Sequence, residues 1–164
     1  AAAVEGRRGK EYAFYRKLKT RGTVMIFKRL ENAFAVRLEK DEELVGTLKQ
    51  FCAEQKITLG SVSGIGAVRS LTLGFFNPPD RKYQEETFED FFEITNLSGN
   101  ITTKEGLPYL HLHMNAAGSD YRTIGGHLVA ATISLTGEIF IRTWDGRIER
   151  AMDERLGINL MQMN

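Results

Sequence analysis

The chain is 164 residues long, 42 % hydrophobic and 26 % charged, with a formal net charge of +1. That length and balance fit one globular domain that can bury its own core, and they exclude a disordered, collagenous or disulfide-stapled chain. No apolar run reaches the ~18 residues that a membrane-spanning helix needs. Ala1–Val4 is too short for the apolar part of a signal peptide. The single cysteine, Cys52, permits no internal disulfide and points to a reducing, cytoplasmic compartment.

Charge is unevenly placed. Residues 1–30 carry nine Lys/Arg against Glu5 and Glu11, a balance of +7, and the rest of the chain balances at −6. We divide the chain into a basic N-terminal arm, 1–22, and a domain, 23–164. Arg7, Arg8, Lys10, Arg16, Lys17 and Lys19 are the arm's candidates for contact with nucleic-acid phosphates. The plainer reading is a solvated tail. Tyr12, Phe14, Tyr15 and Leu18 are spaced to suggest a short helix.

Beyond the arm, Thr23–Phe27 is β-rich and Phe34, Val36 and Leu38 alternate, with Glu31-Asn32-Ala33 as the hairpin turn between them. A helix is expected over Asp41–Gln55. Asp41 is the expected N-cap, Glu42 and Glu43 fall in the first turn, and Leu44, Val45, Leu48, Phe51 and Cys52 make an apolar stripe. Cys52 reads as a core residue. Ser61–Val68 has the glycines of a phosphate loop but neither the third glycine nor the Lys-Ser/Thr of one. A strand (Leu71, Leu73, Phe75) follows where those motifs need a helix, so Gly64 and Gly66 are read as a bulge or a packed strand crossing. Asn77-Pro78-Pro79-Asp80 is a turn. The acids Glu85, Glu86, Glu89 and Asp90 are read as a solvated face. Phe92, Ile94 and Leu97 alternate into Ser98-Gly99, and Ile101-Thr102-Thr103 leads to the turn Lys104-Glu105-Gly106. Asn115–Tyr121 reads as a loop. Leu128–Leu135 is apolar and partly β-branched, and Thr136-Gly137 turns the chain into Glu138–Trp144. Asp145-Gly146 is a hairpin signal, and Arg155–Leu160 holds a last short strand. The sum is an α+β fold with a largely antiparallel mixed sheet and one main helix.

All three histidines fall within Tyr109–His127. In His111-Leu112-His113 the two rings share one strand face, about 6.5–7 Å apart along the strand, close enough to reach one metal ion. Gly125-Gly126 allows a tight turn or a close approach just before His127. Three neutral imidazoles with one open position suit zinc. The plainer alternative is a set of half-buried polar residues with hydrogen-bond partners.

The order of these pieces over some 125 residues resembles the plants-and-prokaryotes-conserved (PPC) domain. The helix Asp41–Gln55 is followed by Gly60–Val68, Phe92-Glu93-Ile94, Leu97-Ser98-Gly99, His111-Leu112-His113, Gly125-Gly126-His127-Leu128 and the strand at Glu138. The resemblance implies an α+β homotrimer. Stand-alone bacterial and archaeal members carry the histidine pattern. Plant members follow AT-hook motifs in nuclear DNA-binding regulators. Arg7-Arg8-Gly9-Lys10 has the charge of an AT-hook without its Arg-Gly-Arg-Pro core, which leaves phosphate contact rather than minor-groove reading.

Three functions follow as expectations. The first is a homotrimeric DNA-binding regulator of this family with a divalent metal, zinc by expectation, on His111, His113 and His127. The second is a metal-dependent enzyme or small-molecule binder that uses the same histidines, with Glu93 or Glu138 as the base by residue type alone. The third is a structural trimer whose histidines only satisfy hydrogen bonds.

Overall fold

Alternation of apolar and polar residues builds most of this molecule. The computed structural model describes residues 15–20 and 23–163, with side chains described for 25–163. In chain order the elements are β1 (Tyr15–Thr20), β2 (Thr23–Arg29), β3 (Ala33–Glu39), α1 (Leu44–Glu54), β4 (Gly60–Asn77), β5 (Lys82–Phe88), β6 (Phe92–Lys104), β7 (Leu107–Ala117), β8 (Thr123–Thr143), β9 (Arg150–Asp153) and β10 (Ile158–Met161). The first eight strands form one sheet in the order β1-β2-β3-β8-β7-β6-β4-β5, and β8 also pairs with β4. The pairs β4–β6, β6–β7, β7–β8 and β8–β4 therefore close a ring. All pairings between these strands are antiparallel. The fold is α+β, a largely antiparallel sheet with one main helix.

The inward residues of β3 (Phe34, Val36, Leu38) and of α1 (Leu44, Leu48, Phe51, Cys52) meet in one core. The ring of Phe51 lies 5.0 Å from that of Phe27 and 5.2 Å from that of Phe34, both edge-on. Such pairs add about 0.5–1.5 kcal/mol each beyond area burial. Cys52 is fully buried in this core, and burial pushes its thiol pKa up to about 12.

The helix starts later than its sequence suggests. Asp41 has φ +70° and cannot cap; its carboxylate instead accepts from Arg69 Nε at 3.1 Å. Glu43 is the N-cap, with its carboxylate accepting from the N–H groups of Val45 and Gly46. Glu42 and Glu43 thus precede the first turn. At the far end Lys56 takes φ +55°. The Ile57 N–H donates to Cys52 O and the Lys56 N–H to Ala53 O, which closes the helix as a Schellman motif.

Other boundaries also moved. Tyr15 and Leu18 lie on β1, paired with β2, and not on a helix; Tyr12 and Phe14 lie outside the described residues. Strand β7 runs on to Ala117, because Asn115–Ala117 pair with Thr123–Gly125, and the turn is confined to 118–122. Thr136-Gly137 does not reverse the chain. Strand β8 is continuous over 21 residues, and its register against β4 shifts between Gly66↔Gly137 and Val68↔Ile133. Gly66 sits in that irregularity with φ +150°, where an added Cβ would lie 2.2 Å from Thr136 O. The bulge reading of Gly64 and Gly66 holds, since the β4–β6 register also shifts there. Asp145-Gly146 turns the chain but closes no hairpin. The returning strand β9 pairs with β10 instead of β8, and β10 starts at Ile158 after a turn in which Gly157 takes φ +75°.

Candidate metal centre

On β7, Leu112 and Met114 are buried, so the alternating positions His111 and His113 point out of the core. Register then assembles the rest. His113 lies opposite His127 on β8 and opposite Ser98 on β6, and His111 lies opposite Asn100. Beyond His127 comes Gly74 of β4, and beyond Gly74 comes Glu85 of β5. One cross-strand row therefore reads Glu85, Gly74, His127, His113, Ser98, and its side chains share a face. Gly125 and Gly126 are strand residues here, not a turn. A Cβ on Gly125 would strike the Asn115 side chain, and one on Gly126 would lie 3.1 Å from Gly74 O. Close approach, the other use of a double glycine, is what brings His127 alongside β7.

The three ring centroids are 5.2, 5.2 and 5.6 Å apart. One ring nitrogen from each lies within 4.8 Å of the other two, a group able to hold a metal ion. His111 Nε2 and His113 Nε2 are 3.3 Å apart. Burial first, then the neighbouring His127, Arg150 and His113, push the His111 pKa down to about 4. Burial, then His113, lowers that of His127, with Glu85 opposing. Both rings are thus neutral at pH 7, the form that ligates a metal. His127 Nδ1 is buried with no protein partner. The donor set fits zinc, and imidazole suits several other divalent metals as well.

Two charged neighbours carry no local signal in the sequence. Arg150, 6 % exposed, lies over the Tyr109 ring at 5.0 Å. It donates to Thr102 Oγ1 at 2.9 Å, Asn159 O at 2.8 Å and Asn100 Oδ1 at 3.0 Å. Its Nη2 is 3.5 Å from His111 Nδ1. A ligating imidazole ordinarily has an acceptor beside its other nitrogen, yet a donor stands beside His111. At that distance the bond is at its outer limit. A proton on Nδ1, which ligation through Nε2 requires, would displace it.

Glu85 is the second neighbour, and it shares a cross-strand row with His127 through Gly74. Glu138 is eleven positions from His127 along β8, roughly 36 Å at strand rise, and it pairs with Arg37 and Ile65. Glu93 is five positions from Ser98 on β6, up to about 16 Å along the strand. The acid run is exposed, Glu85 and Glu86 on β5 and Glu89 and Asp90 just beyond it, as expected of a solvated face, but Glu85 is in register with the histidines.

Of the arm residues, Arg16, Lys17 and Lys19 fall on β1, while Arg7, Arg8 and Lys10 lie outside the described residues. No helix among the described residues is long and apolar enough to cross a membrane.

Among curated proteins none matches this chain. Among solved structures, a protein from Bacteroides thetaiotaomicron described as a "putative DNA binding protein" is 39 % identical, with a TM-score of 0.82 over 83 % of this chain and 95 % of its own. A metal-containing protein from Archaeoglobus fulgidus is 29 % identical, with a TM-score of 0.76 over 92 % of this chain and 99 % of its own. A plant- and prokaryote-conserved protein from Pyrococcus horikoshii is 27 % identical, with a TM-score of 0.76 over 84 % and 95 % of the two chains. The model of the Plants and Prokaryotes Conserved (PCC) domain, the domain abbreviated PPC above, matches residues 25–145, and the chain belongs to that family.

Proposed function

We propose that this protein is a homotrimer in which His111, His113 and His127 of each subunit hold one divalent ion, zinc, as its functional centre. The observation that carries the reading is the convergence of one nitrogen from each of the three rings within 4.8 Å. None of the three rings belongs to the buried core. Zinc held by three imidazoles supplies Lewis acidity at its remaining position. The metal-containing neighbour from Archaeoglobus fulgidus supports the reading.

The trimer rests on the family resemblance and on exposed apolar side chains along the strands. Ile65, Phe75 and Phe140 are 58, 65 and 56 % exposed, apolar strand surface that a subunit contact would cover. Leu73 and Ile141 on the same strands are core residues. A cytoplasmic home fits a chain whose one thiol is buried.

Elemental analysis after zinc reconstitution tests the centre. Wild type should carry one zinc per subunit, and His111→Ala and His127→Ala little, with unchanged far-UV circular dichroism. Equal zinc in all three proteins refutes the site.

A second reading, DNA contact through the basic arm 1–22, is favoured by the description of the Bacteroides neighbour. Binding through Arg7, Arg8, Lys10, Arg16, Lys17 and Lys19 would be sequence-tolerant and would fall steeply with salt. Three arms acting together would gain by avidity. Removal of residues 1–21 should abolish a low-salt gel shift. A truncated protein that binds as well as the full chain would rule out the arm as the contact.

A further inference from the structure

Past the pair His113↔His127 the strands β7 and β8 part company: the facing segments of β7 before His113 and of β8 after His127 no longer pair with each other. A pocket of about 340 Å³ opens between them, with His127 in its wall. Its other walls differ in chemistry. Tyr109 of β7 and Tyr83 of β5 supply aromatic rings, Leu128 of β8 an apolar side, Lys49 of α1 an ammonium and Glu85 a carboxylate. Gly74 keeps the span between Glu85 and His127 bare; a Cβ there would come within 3.3 Å of Val129 and 3.4 Å of Tyr83.

Charge and size narrow what such a pocket takes. Lys49 forms no ion pair among the described residues, and Arg150 has only neutral hydrogen-bond acceptors. With a divalent ion on the histidines, Lys49 in the wall and Arg150 behind His111 and Tyr109, Glu85 is the one negative group set against three sources of positive charge. Arg150 is buried and Lys49 exposed, both without a counter-charge, and unpaired cations beside a divalent ion favour an anionic guest. The volume is at the lower end for small-molecule sites, too small for a nucleic-acid strand or a folded partner. Tyrosine rings and Leu128 favour a flat apolar body on that guest.

We infer that this pocket is the ligand site of the metal centre and that it binds a small organic carboxylate, its anionic end held by the ion and Lys49 and its apolar body between Tyr83 and Tyr109. The inference rests on the metal reading above.

The test uses the full-length protein loaded with cobalt(II), whose visible bands report directly on its ligands. Phenylacetate is the probe, and phenylacetamide is its uncharged counterpart. Cobalt content is measured first. Phenylacetate should then shift the bands saturably while the amide leaves them in place. Lys49→Met should weaken phenylacetate binding about tenfold, the worth of one charged hydrogen bond, without changing cobalt content or the ligand-free spectrum. A wild type that takes up no cobalt fails the metal reading and this inference with it. Full cobalt content with bands that phenylacetate does not move overturns this inference alone. So does an equal response to the amide, or a Lys49→Met protein that binds phenylacetate as wild type does.

Discussion

Replacing Arg150 by methionine keeps the aliphatic stem and removes the guanidinium that ties the β9–β10 hairpin to the sheet. Three hydrogen bonds go: to Thr102 Oγ1, to Asn159 O and to Asn100 Oδ1. Bonds to a charged group contribute about 1.5–3 kcal/mol each. Against their sum stands the cost of holding a guanidinium out of water, which is several kcal/mol and which methionine does not incur. No carboxylate is left behind unpaired, so the loss should be smaller than for a broken buried ion pair, about 2–3 kcal/mol net. With a urea m-value of roughly 2 kcal/mol/M for a chain of this size, the unfolding midpoint should fall by about 1–1.5 M at unchanged slope. Urea titration at fixed protein concentration, followed by circular dichroism, measures it. Hydrogen exchange should quicken in Arg150–Asp153 and Ile158–Met161 before it does in β6. The His111 pKa should also move back toward its ordinary value, since Arg150 is one of the groups that lower it; proton NMR of the ring follows that. An unchanged or raised midpoint would show that desolvation cancels all three bonds, and the pinning argument would be wrong.

The metal-free protein should lose stability as pH falls. The folded pKa of His111 is depressed from 6.5 to about 4 and that of His127 is also lowered. Their contribution is whole above about pH 6.5 and is lost as the unfolded chain protonates on the way down to about pH 4; midpoints that rise over that window would contradict it. Gly66→Ala places a Cβ against the Thr136 carbonyl at a φ of +150° and should cost more than about 2 kcal/mol, measured as the loss of unfolding midpoint. Cys52, fully buried and with its thiol pKa raised to about 12, should react with a disulfide reagent only at the rate of unfolding; fast labelling of the native protein would place it near the surface.

Strands and helix were legible where apolar spacing alone decides them. Phe34, Val36 and Leu38 alternate and are buried. The stripe Leu44, Leu48, Phe51, Cys52 faces the core. The turn Glu105-Gly106 has both residues at positive φ, as a two-residue hairpin requires. Leu97 keeps its inward place although it is three residues from Ile94, because the register of β6 slips between Ile94 and Asn96.

What the sequence hid depends on pairing between distant segments. Thr136-Gly137 has the composition of a turn, and only the partners on both sides keep β8 running through it. Asp41 has the chemistry of an N-cap, yet its N–H donates to Ile133 O across the sheet, and that contact accompanies a backbone that cannot cap. The histidines were legible because alternation and a double glycine are local patterns. Arg150 was not, since it is one arginine among many until β9 folds over β6. Glu85 was hidden inside a run of acids, and it is singled out by the row it shares with Gly74 and His127.

The long strand β8 has a consequence for how the chain is made. It supplies partners to β3, β4 and β7, and Ala33 pairs with Arg142. A nascent chain emerges from the ribosome N-terminus first. Until residues near 143 have left the exit tunnel, β3 and β4 must wait with open edges, and no earlier segment can close the ring. Contacts this distant make for slow folding, and waiting edges invite pairing with other chains. The interval between synthesis of β3 and release of β8 is therefore when a cell would have most need of a chaperone for this protein.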